Sequence, residues 1–315
     1  MRTFAAVVVI SVLLAGCGTA PGDPRGDTGG DGQVLTIGAI PDQDPQLLQR
    51  MNDLLAEYLS ERLDVPVRYA PVTDYTAAVT TFARGDLQVV FFGGLSGVQA
   101  RSKVPGSVPI AQRDIDAEFN SVFIASAGSG LRPIDSLAGL KELAGHSVTF
   151  GSETSTSGRL MPQHFLARAG VDLADLAGEP GFSGSHDATA KLVEAGTYQA
   201  GALNAAVWDD RVRSGKVDTG KVREIFRTPP YPDYHWLARP DLDQRFGDGF
   251  TERVTRVVLG IDGSDGSDGS DGSDGSDGTE RRILKLFSAD KFIPTDAEDY
   301  DQIARAAKDL GLLRP

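Results

Sequence analysis

The run Leu87-Gln-Val-Val-Phe-Phe92 constrains the fold more than any other stretch of the chain. It is almost wholly apolar and ends at a glycine pair, as a strand buried on both faces of a parallel sheet does. Such a strand needs helices packed on it, and the flanking sequence supplies them. Gln33 to Ile40 reads as a strand, and Pro41-Asp-Gln-Asp-Pro45 turns into a helix with Leu47, Leu48, Met51, Leu54, Leu55, Tyr58 and Leu59 on its buried side. Asp44 followed by Pro45 is a cap and a first-turn residue. Val65 to Ala70 is a second strand, Thr73-Asp-Tyr-Thr76 opens a helix that ends near Gly85, and Gly93-Gly-Leu-Ser-Gly97 begins a third. Strand alternating with helix three times over predicts an α/β domain whose ligand crevice lies outside the carboxyl ends of the strands.

With 315 residues, 40% hydrophobic and 24% charged, the chain is long enough for two such domains. Val108 to Arg113 and Ser121 to Ala125 are separate strands, and the change of domain is expected between them, near Asp116. The second domain takes the strand Val148 to Phe150, the loop Gly181 to Asp187 with the helix Ala188 to Glu194, and the run Tyr198 to Leu203. Val222 to Phe226 leads back. Pro229-Pro-Tyr-Pro-Asp-Tyr-His-Trp236 is expected at the hinge or cleft lip, and helices Phe250 to Leu259, Arg281 to Phe287 and Tyr300 to Leu310 complete the first domain.

Chemistry is suggested by Gly151-Ser-Glu-Thr-Ser-Thr-Ser-Gly158, a hydroxyl-rich loop between a strand and a helical pattern. The first N–H groups of a helix lack internal partners and carry partial positive charge, so an anion is favoured there. Ser155, Thr156 and Ser157 add hydroxyl donors, and Gly158 lets a ligand approach the main chain; equally, one hydroxyl serves only as a helix cap. Tyr75 after Asp74, Ser96 with Gly97, and His186 beside Asp187 mark other helix starts that can converge on the same cleft, although Tyr75 can simply cover its helix turn and His186 can be a cap. Asp187 reads first as a favourable first-turn charge. A nucleophile elbow is absent, because Gly184-Ser-His-Asp-Ala188 and Gly151-Ser-Glu-Thr-Ser155 both lack the second glycine. His146, His164, His186 and His235 do not cluster at metal spacing, so a non-enzymatic protein without cofactor or metal is expected.

The N-terminus is different in kind. Arg2 precedes an apolar run from Phe4 to Leu14, too short to cross a bilayer but suited to a signal peptide over residues 1–16. Leu14-Ala-Gly-Cys17 resembles the lipobox of bacterial lipoproteins, which implies lipid attachment at Cys17, the one cysteine in the chain. Residues 17–33, rich in Gly, Pro and Asp, form a flexible tether. A net charge of −13 argues against nucleic acid as a partner. Asp262-Gly-Ser, repeated to Thr279, places six carboxylates three residues apart without a hydrophobe. That pattern fits neither calcium-loop motif and reads as a passive acidic insertion over 262–279.

The runs Thr73-Asp-Tyr75, Asp86 to Gly94, Ser155-Thr-Ser-Gly158 and Ser183-Gly-Ser-His-Asp187 together resemble the phosphate, phosphite and phosphonate substrate-binding proteins of ABC importers. The likeness spans Leu35 to Leu312. It implies a two-lobed type II periplasmic-binding-protein fold with a ligand cleft between the lobes, lobe I being 34–116 with 225–315 and lobe II 117–224. By motif it implies that Tyr75, Ser155, Thr156, Ser157 and His186 contact a small tetrahedral oxyanion. It also implies an extracytoplasmic monomer that hands its ligand to an ABC permease and its ATPase; a sensor subunit for a membrane kinase is the alternative. Gly93 to Ala100, Gln112 to Asp116 and Pro229 to Trp236 are also similar to a subgroup commonly labelled selenate-binding. Two departures stand out: Gly97 replaces a second family tyrosine, and Asn204 stands where many members carry an acid. Asn204 in the site would turn preference from aminoalkylphosphonates toward a fully deprotonated oxyanion. Deleting residues 262–279 is expected to leave ligand affinity unchanged in calorimetry, and a large loss would make the insertion part of the site.

Overall fold

Leu35–Ala39 (β1), Val67–Tyr69 (β2) and Val89–Phe92 (β3) lie parallel, with β1 between the other two, in the computed structural model of the chain, which describes residues 33–263 and 278–313. The leader, the tether, Cys17 and most of the acidic repeat lie outside the described residues. The helix Pro45–Leu63 (α1) starts where Asp44 accepts the N–H groups of Gln46 and Leu47, and Tyr75–Arg84 (α2) starts where Asp74 accepts that of Ala77. The α2 helix ends on Gly85 at φ 87°, a left-handed conformation that glycine adopts without cost. All four residues of β3 are buried, as its unbroken apolar sequence requires, and the chain passes directly into Gly94–Lys103 (α3).

Val108–Arg113 (β4) and His235–Ala238 (β10) join the same sheet, with β10 antiparallel to both β3 and β4. Phe292–Ile293 (β11) closes the far edge, giving the order β11-β4-β10-β3-β1-β2. The second sheet holds Ser121–Ser126 (β5), Val148–Phe150 (β6), Gly181–Phe182 (β7), Ala200–Asn204 (β8) and Val222–Arg227 (β9) in the order β7-β6-β8-β5-β9. Met161–Arg168 (α4), His186–Glu194 (α5) and Ala205–Arg213 (α6) belong to this second lobe. Leu242–Phe246 (α7), Phe250–Leu259 (α8), Thr279–Phe287 (α9) and Asp301–Asp309 (α10) follow the return to the first sheet. The expected lobe boundary at 224/225 runs through β9, which pairs with β5 from Val222 to Arg227, so the chain leaves the second sheet only after Arg227. Among the described residues no helix is long and apolar enough to cross a membrane.

The chain crosses between the sheets twice, and the two crossings are bonded to each other. Phe119 and Tyr231 form an antiparallel bridge, with reciprocal N–H to carbonyl distances of 2.8 and 2.9 Å. The N–H of Asp233 donates to the carbonyl of Asp116 at 3.0 Å. At this crossing Arg113 and Asp116 form a buried two-pronged ion pair, with Nε to Oδ2 at 2.7 Å and Nη2 to Oδ1 at 2.6 Å. Arg113 is thereby committed to a structural ion pair with Asp116. A buried arginine stripped of its partner is costly, so Asp116→Ala should lower unfolding free energy by about 3–5 kcal/mol, read from urea denaturation; a loss below 1 kcal/mol would contradict this account.

Candidate functional site

The hydroxyl loop comes off β6 and enters a π-helical turn, Thr156–Leu160, rather than starting α4 directly. Such wide turns recur at functional sites. Ser155 caps this turn by accepting the N–H of Gly158 at 2.9 Å, so one of the three hydroxyls is a cap. Ser121 on β5 donates to the carbonyl of Ser157 at 2.7 Å and fixes the loop to the second sheet. Gly158 is close-packed by protein: a Cβ there would lie 2.8 Å from Ser155 Oγ and 3.2 Å from both Gly151 Cα and His186 Cε1. The glycine therefore admits Gly151 and His186, where the sequence suggested space for a ligand.

All three hydroxyl residues are buried, and they face the first lobe. Thr156 Oγ1 accepts the N–H of Leu95 at 2.9 Å, while Asp233 Oδ1 accepts that of Gly94, also at 2.9 Å. The N-terminus of α3 thus joins the two lobes. Ser96 takes no part, because its hydroxyl donates to the carbonyl of Gly93 within its own turn. Tyr75 opens α2 with its hydroxyl toward Ser155. Three fully enclosed polar atoms, Tyr75 Oη, Ser157 Oγ and Asp233 Oδ2, have no hydrogen-bond partner among the described residues. Buried polar atoms normally do have one.

His186 is the first residue of α5, capped by Ser185, and its ring is wholly buried. Its Nδ1 accepts the N–H of Asn204 at 3.3 Å, which leaves the proton on Nε2, 3.3 Å from the hydroxyl of Tyr234. Burial pushes its pKa down to about 3, so the ring is neutral at pH 7. The Tyr234 hydroxyl donates to Asp42 Oδ2 at 2.8 Å and accepts from Asn204 Nδ2 at 3.1 Å. Asp42 also accepts the His186 N–H through its backbone carbonyl at 3.0 Å, a second tie between the lobes. Asn204 caps α6 through the N–H of Val207 at 3.0 Å. It stands behind Tyr234 as a brace. Asp187 pairs with Arg211, which agrees with its reading as a first-turn charge.

Sequence reasoning missed Asp42, Asp233 and Tyr234. Asp42 is hidden in a turn rich in Pro and Asp, and Asp233 and Tyr234 in the crossing segment, which the sequence places at the hinge or cleft lip without site roles. Burial raises the pKa of Asp233 to about 7 against the opposing pull of the Gly94 N–H and the neighbouring Thr156 hydroxyl. Burial likewise raises Asp42 to about 6, offset in part by Tyr234 and Arg113. Asn204 itself carries no acid, while Asp233 brings a buried carboxyl to the α3 N-terminus from the crossing segment. The missing second tyrosine also has an explanation. A Cβ on Gly97 would fall 2.3 Å from Cε1 and 2.4 Å from Nε2 of His235, whose ring fills that space. Among the described residues no cluster of His, Cys, Asp or Glu is placed to hold a metal ion.

Two α/β lobes joined by a paired crossing, with buried hydroxyls, a carboxyl and helix N-termini where they meet, are the architecture of a solute-binding protein. Residues 37–300 match the profile of the family described as "ABC transporter, phosphonate, periplasmic substrate-binding protein", and the chain belongs to that family. It is 45% identical over 283 residues, 90% of this chain and 91% of the relative, to the probable ABC transporter phosphite binding protein PhnD1 of Prochlorococcus marinus (strain MIT 9301). The crystal structure of that PhnD1 in complex with methylphosphonate superposes with a TM-score of 0.83 at 44% identity, covering 89% of this chain and 99% of the other. The phosphate-import protein PhnD of Mycolicibacterium smegmatis is 25% identical over 234 residues, 71% of each chain.

A carboxyl that holds its proton more tightly when folded stabilises the fold below its ordinary pKa, and that contribution fades as pH rises to the folded value. Asp233, raised to about 7, should therefore cost stability progressively between pH ~4 and about 7. His186 and His235, both lowered to about 3, act with the opposite sign, so the informative quantity is a difference. Relative to wild type, Asp233→Asn should gain urea stability steadily from pH 4 to 7 and level off above. A difference independent of pH would show that Asp233 is already ionised at pH 4.

Proposed function

We propose that the protein binds a small tetrahedral phosphorus oxyanion, phosphite or methylphosphonate in size, and delivers it to the permease of an ABC importer. The observation that carries this reading is the set of buried, unpartnered atoms on Tyr75, Ser157 and Asp233 beside the α3 N-terminus and the π-helical turn. Tyr75, Ser155, Thr156 and Ser157 supply hydroxyls from both lobes. His186 contributes Nε2–H, whose bond to Tyr234 is long at 3.3 Å and readily exchanged for an oxyanion. Asn204 acts through Tyr234. The names of the marine and mycobacterial relatives, phosphite-binding and phosphate-importing, point to the same ligand chemistry.

Asp233 separates phosphorus oxyanions from selenate and sulfate. A carboxyl with a pKa near neutrality shares one proton with a ligand that can itself be protonated there. Selenate and sulfate dianions have no proton to share at pH 7 and would meet a partly ionised carboxylate. No covalent chemistry is proposed, because neither His186 ring nitrogen is bonded to a serine hydroxyl that it could serve as base. Transport is favoured over sensing because the relatives are transporter binding proteins. The reading also has the protein extracytoplasmic, monomeric and tethered by lipid on Cys17, supported by the lipobox-like Leu14-Ala-Gly-Cys17.

Calorimetry of the chain from Val34 onward against phosphite, methylphosphonate, phosphate, sulfate and selenate tests the proposal. Heat is expected with the phosphorus ligands, weakest or absent with sulfate and selenate; a uniform absence of heat would overturn it. Thr156→Val should weaken binding by about 1.5–3 kcal/mol, the usual worth of a hydrogen bond to a charged group. Unchanged affinity would remove Thr156 from the site.

A further inference from the structure

Asp42, Asn204 and Tyr234 line a cavity of about 280 Å³ between the lobes, which Tyr75, the hydroxyl triplet and His186 do not line. Its remaining walls are mixed: Leu48, Met51 and Phe91 from the first lobe and Val207 from the second give an apolar side, and Arg113, Asp210, Lys216 and Lys285 also line it. The volume is close to the lower bound of small-molecule pockets, roughly 300 Å³, so it suits a short carbon chain. Tyr234 stands between this space and the oxyanion cluster, bonded to Asp42 and Asn204 and facing His186 Nε2. Its ring cannot easily swing aside. Phe91 stacks on it at 5.4 Å between centroids, Phe119 meets it edge-on at 5.6 Å, and the Arg113 guanidinium lies 4.9 Å from its centroid. Arg113 is itself pinned by Asp116 and by the carbonyl of Phe287.

We propose that Tyr234, braced by Asp42 and Asn204, is the partition that sets ligand size, confining the site to phosphorus oxyanions with at most one small substituent, and that the cavity behind it is latent space for the chain of a longer alkylphosphonate. The inference rests on the phosphorus-oxyanion reading and names the part of the structure that limits it. An apolar pocket distinguishes one methylene by ~10–200-fold, so a rigid wall should show itself as a steep step along an alkyl series.

The experiment is calorimetry of the full chain in detergent with methyl-, ethyl- and propylphosphonate. Wild type should bind propylphosphonate at least ~10-fold more weakly than methylphosphonate. In Tyr234→Leu the propyl-to-methyl ratio should shift at least ~10-fold toward propyl, whatever happens to absolute affinity. Asp42→Ala, which removes a buried acid and so is expected to fold, should shift the ratio in the same direction. Adding Val207→Trp to Tyr234→Leu fills the cavity from the second lobe and should restore the wild-type ratio. A wild type that binds all three ligands equally, a ratio unmoved in both opened variants, or a gain that survives Val207→Trp would each overturn the partition. A wild type that binds neither phosphite nor any of the three phosphonates would instead overturn the functional reading beneath it.

Discussion

A carboxyl group walled into the protein between its two lobes is the constraint on which the rest of the structure turns. Desolvation disfavours the charged form of Asp233, and the nearby Asp116 carboxylate disfavours it further. The site meets this by keeping a proton within reach of pH 7 and by aiming the α3 N-terminus at Oδ1. The strand β3 must therefore be buried and straight into its helix, because any looser connection would carry the Gly94 and Leu95 N–H groups away from their partners in the opposite half of the molecule. Thr156 is one of those partners, so its hydroxyl carries a structural bond between the lobes.

Much of this architecture was legible in the residues. Alternating apolar runs and capping signals located every strand of the first sheet up to β4, and the limits read for Phe250 to Leu259 agree with α8. The hydroxyl loop was placed between strand and helix. Its actual geometry was not, since no local pattern distinguishes a π-helical turn from the first turn of an α-helix. Asp42, Asp233 and Tyr234 were illegible for a different reason. Each sits in a connecting segment whose proline-rich sequence announces only a turn, and their roles arise from contacts at 192 positions' separation, as between Tyr234 and Asp42. Asn204 stands out in the sequence, but that its amide holds Tyr234 in place depends on side-chain direction at the end of β8.

The crossing between the lobes and the site share a component. Arg113 bonds Asp116 beside the paired crossings, bonds the carbonyl of Phe287 at the end of α9, and lies over the ring of Tyr234. Any rotation of one lobe against the other must carry this guanidinium and the tyrosine with it or break a buried ion pair. Because the crossings are hydrogen-bonded side by side at Phe119 and Tyr231, bending about them is easier than sliding. The crossing and one aromatic ring are thereby tied together through a single guanidinium.

The packing of His235 against the bare backbone at position 97 limits how this binding site can change by single steps. Restoring an aromatic side chain at 97 while the imidazole stays would drive two groups into one volume, and shrinking His235 first would leave a void beside Tyr300, whose ring lies 4.0 Å from it. The two positions are therefore exchangeable only together, so a chain with glycine and histidine here is separated from one with tyrosine by an intermediate that folds less well than either.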